Sequence, residues 1–337
     1  MAAYSKASEG SEESSASSHP RLAELIVRAR LRAARQGVPR LGIVYPCDGA
    51  ALDAAVRIAQ AGLALPVLIG PRDAIARAAQ AANLDLQSLE MHETPASPDA
   101  PSEAARQAVL LARRGAVHAL MKGSLHTDHL MAAVVHKSTG LRGNTRISHT
   151  FLFDLPRYPH KLLALADCVV NITPHLPAKR AILSNAIGLL QRLGVEHPKV
   201  GIVAAIETPT PAIPATVDAA ALVELAKAGA WPGAIVEGPF GFDNAISALA
   251  ARAKNIGGTV PGDADLLLMP DLNAGNMLYK SFIYIGGGDC AGLVLGTTVP
   301  VVLTSRADSG LSRVASVALA VLAIAGDPNA GDPVAGI

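Results

Sequence analysis

Residues 40–82 read RLGIVYPCDGAALDAAVRIAQAGLALPVLIGPRDAIARAAQAA, and the order of their parts decides the fold: an apolar run, a turn, an alanine-rich stretch, then the same steps again. "RLGIVYP" (40–46) and "LPVLIG" (65–70) are apolar β-like runs, each preceding an alanine-rich helical stretch. A third unit, "VHALMKG" (117–123) running into "TDHLMAAVVHKSTG" (127–140), offers Thr127 or Asp128 as a helix N-cap and Gly140 at the helix end. Strands alternating with helices predict an α/β protein with mainly parallel sheets.

The pattern returns later in the chain. "KVGIVAAIE" (199–207), "GAIVEGP" (233–239), "ADLLLMPDL" (264–272) and "AGLVLG" (291–296) read as strands, and "VPVVLTS" (299–305) as a last one before an apolar helix at 312–326. The greasy stretch from Val314 to Ala325 is interrupted by Ser316 and falls short of the roughly 20 residues that cross a bilayer, so it reads as a core helix. A chain of 337 residues, half of them hydrophobic, suggests two domains on a prior of about 150 residues each, although no long Gly/Ser linker marks a boundary. Residues 1–20, with "SEGSEESSASS", carry too little apolar surface to order themselves and lack the apolar segment of a secretory signal, so a disordered tail is expected.

A formal net charge of +1 and 3% aromatic residues give no footprint for nucleic acid or an anionic membrane. Cys47, Cys168 and Cys290 stand far apart with no CxxC pair, which argues against a zinc ribbon or a disulfide framework and fits a cytoplasmic protein. There is no GxxxxGK[ST], HExxH or GxSxG. Gly286-Gly287-Gly288-Asp289-Cys290-Ala291 matches GxGxxA formally, but it precedes a strand where a dinucleotide fingerprint follows one, so it reads as a loop. His126 and His129 could face one metal across a helix turn with Asp128 between them; the plainer reading is a polar helix start.

In parallel α/β sheets ligands bind outside the carboxyl ends of the strands. Four such ends here are polar: "MKGSLHTD" (121–128), "IETPTP" (206–211), "MPDLNAGNMLYK" (269–280) and "LTSRADSG" (303–310). They bring Lys122, Ser124, Asn273, Asn276, Lys280, Ser305 and Arg306, a set suited to a phosphate-bearing substrate because Arg matches phosphate oxygens with a planar fork and Lys with a point charge.

With "PDLNAGNMLYK" (270–280), "PVVLTSRADS" (300–309), "MKGSLHTD", "GLR" and "RISH" (within 140–149) and "PATVDAA" (214–220), the chain resembles the phosphate acetyltransferase/phosphate butyryltransferase family from about residue 25 onward. "GLRGNTRISHTFLFDLPRYP" and "LTSRADS" look most like its butyryltransferase-type branch. The resemblance implies an isocitrate dehydrogenase-like fold, with residues 21–149 and 292–337 as one domain, 150–291 as a second inserted in it, and the active site in the cleft between them. It implies transfer between acyl-CoA plus inorganic phosphate and acyl phosphate plus CoA. CoA is then a substrate, no cofactor is tightly bound and no metal takes part, and the assembly is a homodimer. In the family mechanism a base takes the thiol proton of CoA, the thiolate attacks the acyl carbonyl, and cationic groups hold the departing phosphate.

By motif position Ser305 and Arg306 match the family's Ser-Arg pair, and Asn276 and Lys280 match the Asn and Lys of its "GNxxYK". Two departures follow. The acetyltransferase branch carries its catalytic Asp where this chain has Ser312, which leaves Asp308 as the expected base; a neighbouring Arg would favour its carboxylate form and weaken it as a base. The same branch has an Arg where this chain is apolar around Met131, so Arg142 or Arg146 is expected to supply that phosphate contact, joined by Lys122 and Ser124. Glu207 is a cleft carboxylate or a loop start, Asp218 lines the cleft or caps a helix, and Trp231 is packed. Acetyl is the expected acyl group, with butyryl or another short acyl as the alternative. A non-catalytic protein binding CoA or acyl phosphate is a further alternative, and an NAD-dependent decarboxylating dehydrogenase is disfavoured because no Asp cluster for its metal is evident.

Overall fold

The computed structural model describes residues 18–303, 305 and 308–324. These fall into two compact units, one of residues 18–144 and 291–324 and one of residues 145–290, so the second interrupts the sequence of the first. Most of the expected Ser-rich tail lies outside the described residues, as do Thr304, Arg306 and Ala307.

The chain opens with α1 (Pro20–Gln36), β1 (Arg40–Val44), α2 (Gly49–Gln60), β2 (Leu65–Gly70), α3 (Arg72–Ala82) and β3 (Glu90–Glu93). It continues with α4 (Ala100–Arg113), β4 (Ala119–Lys122) and α5 (Thr127–Val134). The second unit holds β5 (Ser148–Leu155), β6 (Tyr158–Ala166), α6 (Leu176–Arg192), β7 (Lys199–Val203), α7 (Pro214–Lys227) and β8 (Ile235–Phe240). It ends with α8 (Phe242–Ile246), α9 (Ala248–Ala253), β9 (Leu266–Leu268) and α10 (Leu272–Tyr284). Then come β10 (Asp289–Leu295), β11 (Val301–Val302) and α11 (Gly310–Ala323).

In the first unit the strands lie in the order β3-β2-β1-β4-β11-β10, parallel from β3 to β11, with β10 antiparallel to β11. The α/β reading of residues 40–123 holds, and β1 is buried from its second residue onward. The last strand is shorter than its apolar sequence predicts, with only Val301 and Val302 pairing. The apolar helix runs over 310–323, and Ser316, which interrupts its hydrophobicity, serves main chain: its Oγ donates to Ser312 O (2.7 Å) and accepts from Gly292 N–H (3.0 Å). A buried hydroxyl so bonded escapes the desolvation cost of a lone polar group. α1 packs against α11, and Arg32 donates from Nη1 to Leu322 O (2.5 Å) and from Nη2 to Ile324 O, satisfying carbonyls at the end of α11.

In the second unit the order is β5-β6-β9-β7-β8, parallel from β6 to β8 with β5 antiparallel to β6. Leu267 of β9 and Phe153 of β5 belong to one buried cluster with Phe282 of α10.

Several expectations are corrected. β3, with the sequence EMHE, escapes a hydrophobicity reading because it is a short charged edge strand, a common device against edge pairing. The β5–β6 hairpin escapes it because β5 buries Ser148, His149, Thr150 and Asp154 among its apolar residues. α5 stops at Val134, and its N-cap position is His126 without a side-chain cap, so neither Thr127 nor Asp128 caps it. Gly140 instead closes the turn that follows: a Cβ there would stand 2.4 Å from the carbonyl oxygens of both Val134 and His136. Asp218 lies inside α7 rather than at its cap, and its Oδ2 accepts from Lys179 Nζ of α6 at 2.8 Å. Trp231 is packed, its Nε1 donating to Ser184 Oγ at 2.8 Å, and the triple glycine at 286–288 is a loop leading into β10.

Candidate active site

In the first unit the polar ends of β1 and β4 are joined through main chain. Gly123 N–H donates to Val44 O (2.9 Å) and Ser124 N–H to Tyr45 O (3.0 Å). A Cβ on Gly123 would stand 2.5 Å from Val44 O, so this close approach requires glycine. Ser124 Oγ donates to Tyr45 O at 2.7 Å and accepts from Cys47 N–H at 3.0 Å, which locks the loop after β1. Lys122 is buried and donates from Nζ to Gly123 O at 3.2 Å. Arg142 is exposed, with Nε donating to Val135 O at 2.5 Å and its main chain bridging to Thr297.

After β11, Ser305 and Asp308 bond to each other. Ser305 N–H donates to Asp308 Oδ2 at 2.7 Å, and Ser305 O accepts from Asp308 N–H (3.3 Å) and from Arg313 Nη2 (3.1 Å). Ser309 then caps α11, its Oγ accepting from Ser312 N–H at 2.9 Å. The main chain of Ser305 is thus tied on both sides while the residue itself is exposed. Asp308 and Ser305 are brought together; Arg306 lies outside the described residues; Ser312 is buried in the first turn of α11.

In the second unit the segment after β6 gathers two of the expected residues. Asp167 is buried and accepts four hydrogen bonds: at Oδ1 from Val169 N–H (2.8 Å) and Val170 N–H (2.9 Å), at Oδ2 from His149 N–H (3.0 Å) and Asn171 Nδ2 (2.7 Å). Asn171 Oδ1 accepts from Arg146 Nε at 2.5 Å. Asn276, in the first turns of α10, donates from Nδ2 to Cys168 O at 3.2 Å. Its neighbour Gly275 allows that approach, since a Cβ there would lie 2.6 Å from Asp167 O. Lys280 is exposed one turn further along α10. Asp167, Asn171 and His149 were not among the expected residues; Asp167 and Asn171 follow the same rule, polar groups after the carboxyl end of an apolar strand, while His149 lies at the amino end of antiparallel β5, and the signal is lost because the β5–β6 hairpin goes unread.

His149 is fully buried, its ring 4.3 Å from that of Phe151, and among the described residues neither ring nitrogen has a hydrogen-bond partner. Burial lowers its pKa from 6.5 to about 4, against the smaller opposite pull of the Asp167 carboxylate. The unfolded ring therefore takes up its proton at higher pH than the folded one. Stability from this residue is complete above the unfolded value and is lost as pH falls from about 6.5 to about 4, by on the order of 3 kcal/mol at about 1.4 kcal/mol per unit. Thermal melts across that window are expected to fall less steeply for His149→Phe than for wild type; parallel slopes would contradict the account, whatever constant offset the substitution brings.

Burial pushes the Cys47 thiol up to about 11 and the Cys168 thiol well above its ordinary value. Neither is poised as a thiolate nucleophile at neutral pH. His129 Nδ1 is bonded with Ser102 Oγ at 2.8 Å, and among the described residues no three His, Cys, Asp or Glu side chains are grouped to hold a metal. Glu207 pairs with Lys254 at 2.9 Å, which lowers its pKa. A cavity of about 950 Å³ in the first unit, lined by residues of α4 and α5 including Arg106, Asp128 and His129, contains none of the expected substrate residues.

The family model described as phosphate acetyl/butaryl transferase matches residues 99–321. A phosphate acetyltransferase of Rhizobium meliloti is 46% identical over 87% of this chain and 91% of its own length. A phosphate butyryltransferase of Clostridium beijerinckii is 34% identical over 85% of this chain and 93% of its own. Among solved structures, a branched-chain phosphotransacylase from Enterococcus faecalis V583 matches with a TM-score of 0.74 at 27% identity, covering 86% of this chain and all of that one. The matched region runs through the strand ends at 121–128, 269–280 and 303–310 that carry the polar groups, and the chain belongs to the phosphate acetyl/butaryl transferase family.

Proposed function

We propose that this protein is a phosphate acetyltransferase, interconverting acetyl-CoA plus phosphate with acetyl phosphate plus CoA by direct thiolate attack. The observation that carries the acetyl reading is the higher identity to a relative named for acetyl than to one named for butyryl over comparable lengths. Asp308 takes the proton from the CoA thiol, and the sulfur attacks the acetyl carbonyl carbon. Ser305 donates a hydrogen bond to the developing oxyanion, and Arg306 contacts phosphate or CoA. The bond between the carbonyl carbon and the bridging oxygen breaks as the tetrahedral species collapses, and phosphate leaves with the bonding pair, stabilised by cations such as Arg146 or Arg142. Lys122, Ser124, Asn276 and Lys280 complete the substrate contacts, and Ser124 also fixes the loop after β1 and Asn276 the start of α10. The high thiol pKa values of Cys47 and Cys168 support transfer straight to CoA rather than through an acylated cysteine. The two units are the two domains of the family fold, CoA is a substrate and no cofactor is tightly held, and the enzyme works as a cytoplasmic homodimer.

The test is thioester formation from acetyl phosphate or butyryl phosphate and CoA, followed by ultraviolet absorbance. A kcat/KM at least about tenfold higher for acetyl phosphate is expected, in the range that a pocket wall sets for one or two methylenes. A preference for butyryl phosphate would transfer the assignment to the butyryl alternative, and no turnover of either would leave the non-catalytic binding reading.

A further inference from the structure

Among the described residues several arginines pair with carboxylates: Arg40 with Glu90, Arg57 with Asp53, Arg72 with Glu93, Arg106 with Asp99 and Glu103. Arg146, like Arg142 on Val135 O, is held through Nε by a neutral oxygen instead, but its oxygen belongs to a buried side chain. Its side chain is fixed through Nε by the neutral amide oxygen of Asn171 (2.5 Å), and its main-chain carbonyl accepts from Asn185 Nδ2 of α6 (2.8 Å). Among the described residues its two terminal nitrogens have no partner, and the residue is exposed. Asn171 is itself buried and immobilised, its Nδ2 donating to Asp167 Oδ2 (2.7 Å) and to Ile147 O (3.0 Å), while Asp167 is anchored by three backbone amides.

This arrangement has a physical consequence. A long side chain loses rotamer freedom when it closes on a ligand. Here much of that ordering is already present, because the side chain is gripped at the nitrogen nearest its aliphatic stem. A carboxylate clamp would order the side chain equally well but would cancel its charge and occupy its fork. An amide oxygen does neither, so the pair of terminal N–H groups is presented, fully charged, in the bidentate geometry that suits phosphate oxygens.

We propose that Asn171, anchored on Asp167, is a positioning residue that preorganises Arg146 for the phosphoryl group of the acyl phosphate. The inference rests on the reading of Arg146 as a phosphate contact given above. It adds that specificity for the dianion depends on a buried amide relay that touches no substrate.

The test is a double-mutant cycle on the full-length enzyme with acetyl phosphate and CoA, using Arg146→Ala, Asn171→Ala and the double variant. Asn171→Ala is expected to raise KM for acetyl phosphate about tenfold, to leave KM for CoA within about twofold, and to have no further effect once Arg146 is alanine. Equal losses from Asn171→Ala with and without Arg146 would show a purely structural role and overturn the proposal. A raised KM in Arg146→Ala with none in Asn171→Ala would overturn the relay while sparing the phosphate contact. An unchanged KM in Arg146→Ala would overturn the phosphate contact and the relay with it. Asn185→Ala, which frees only the main-chain grip, serves if Asn171→Ala does not fold: a smaller KM rise, about threefold, that disappears in the Arg146→Ala background supports the preorganised arginine, and a rise that persists there opposes it.

Discussion

Asp308→Asn is expected to lower kcat/KM with CoA by about 10²–10⁴-fold, the usual contribution of a positioned general base. Asparagine keeps the size of the side chain and an acceptor oxygen for the Ser305 N–H that Asp308 now receives at 2.7 Å, so the loop before α11 should survive the change. What is lost is the capacity to take a proton, and the second signature is therefore in the pH profile: the limb of kcat/KM that reports deprotonation of the base should vanish along with the activity. Retention of activity within about fivefold, with the limb intact, would reduce Asp308 to a holder of the loop and send the search for the base elsewhere without altering the reaction class. The contact to Ser305 makes this a real alternative, since a carboxylate that accepts a main-chain N–H has a structural task whether or not it also has a chemical one.

Ser305→Ala is expected to cost about 10²–10³-fold in kcat, the scale for removing one donor to a developing oxyanion. The main-chain bonds of this residue to Asp308 and Arg313 do not involve the hydroxyl and survive the substitution, so the loop before α11 should keep its place. KM for CoA should move little, because the donor acts on charge that appears only in the transition state. A loss expressed in KM with kcat preserved would instead make Ser305 a ground-state contact.

The α/β character of the chain is legible in its sequence because the strands at 40–44, 65–70 and 119–122 are buried on both faces and written in apolar residues. The hairpin at 148–166 is illegible for the opposite reason. Ser148, His149, Thr150 and Asp154 are buried there, and polar residues tolerated in a core by local hydrogen bonds or by function break the pattern that marks a strand. The site divides along the same line. Strand ends rich in polar groups are visible in one dimension, as at Lys122 and Ser305, but the clamp on Arg146 depends on Asn171, 25 residues away, meeting it only after β5 and β6 have turned back on each other. Ser124 looks like a ligand contact in sequence, and its hydroxyl's part in bolting two loops together shows only in the fold.

The pairing of α1 with α11, clasped by Arg32 on the carbonyls of Leu322 and Ile324, bears on the order in which the chain matures during synthesis. Residues 145–290 are all available as soon as residue 290 has left the ribosome, whereas the first unit waits for the segment 291–324 to supply β11 beside β4 and α11 beside α1. Until then the apolar flank of β4 and the inner face of α1, with Leu22, Leu25, Ala29 and Ala33, have no covering. The inserted unit is thus positioned to fold first, and the unit that begins the chain is the last to be completed, which makes it the more exposed to chaperones and to misassembly during synthesis.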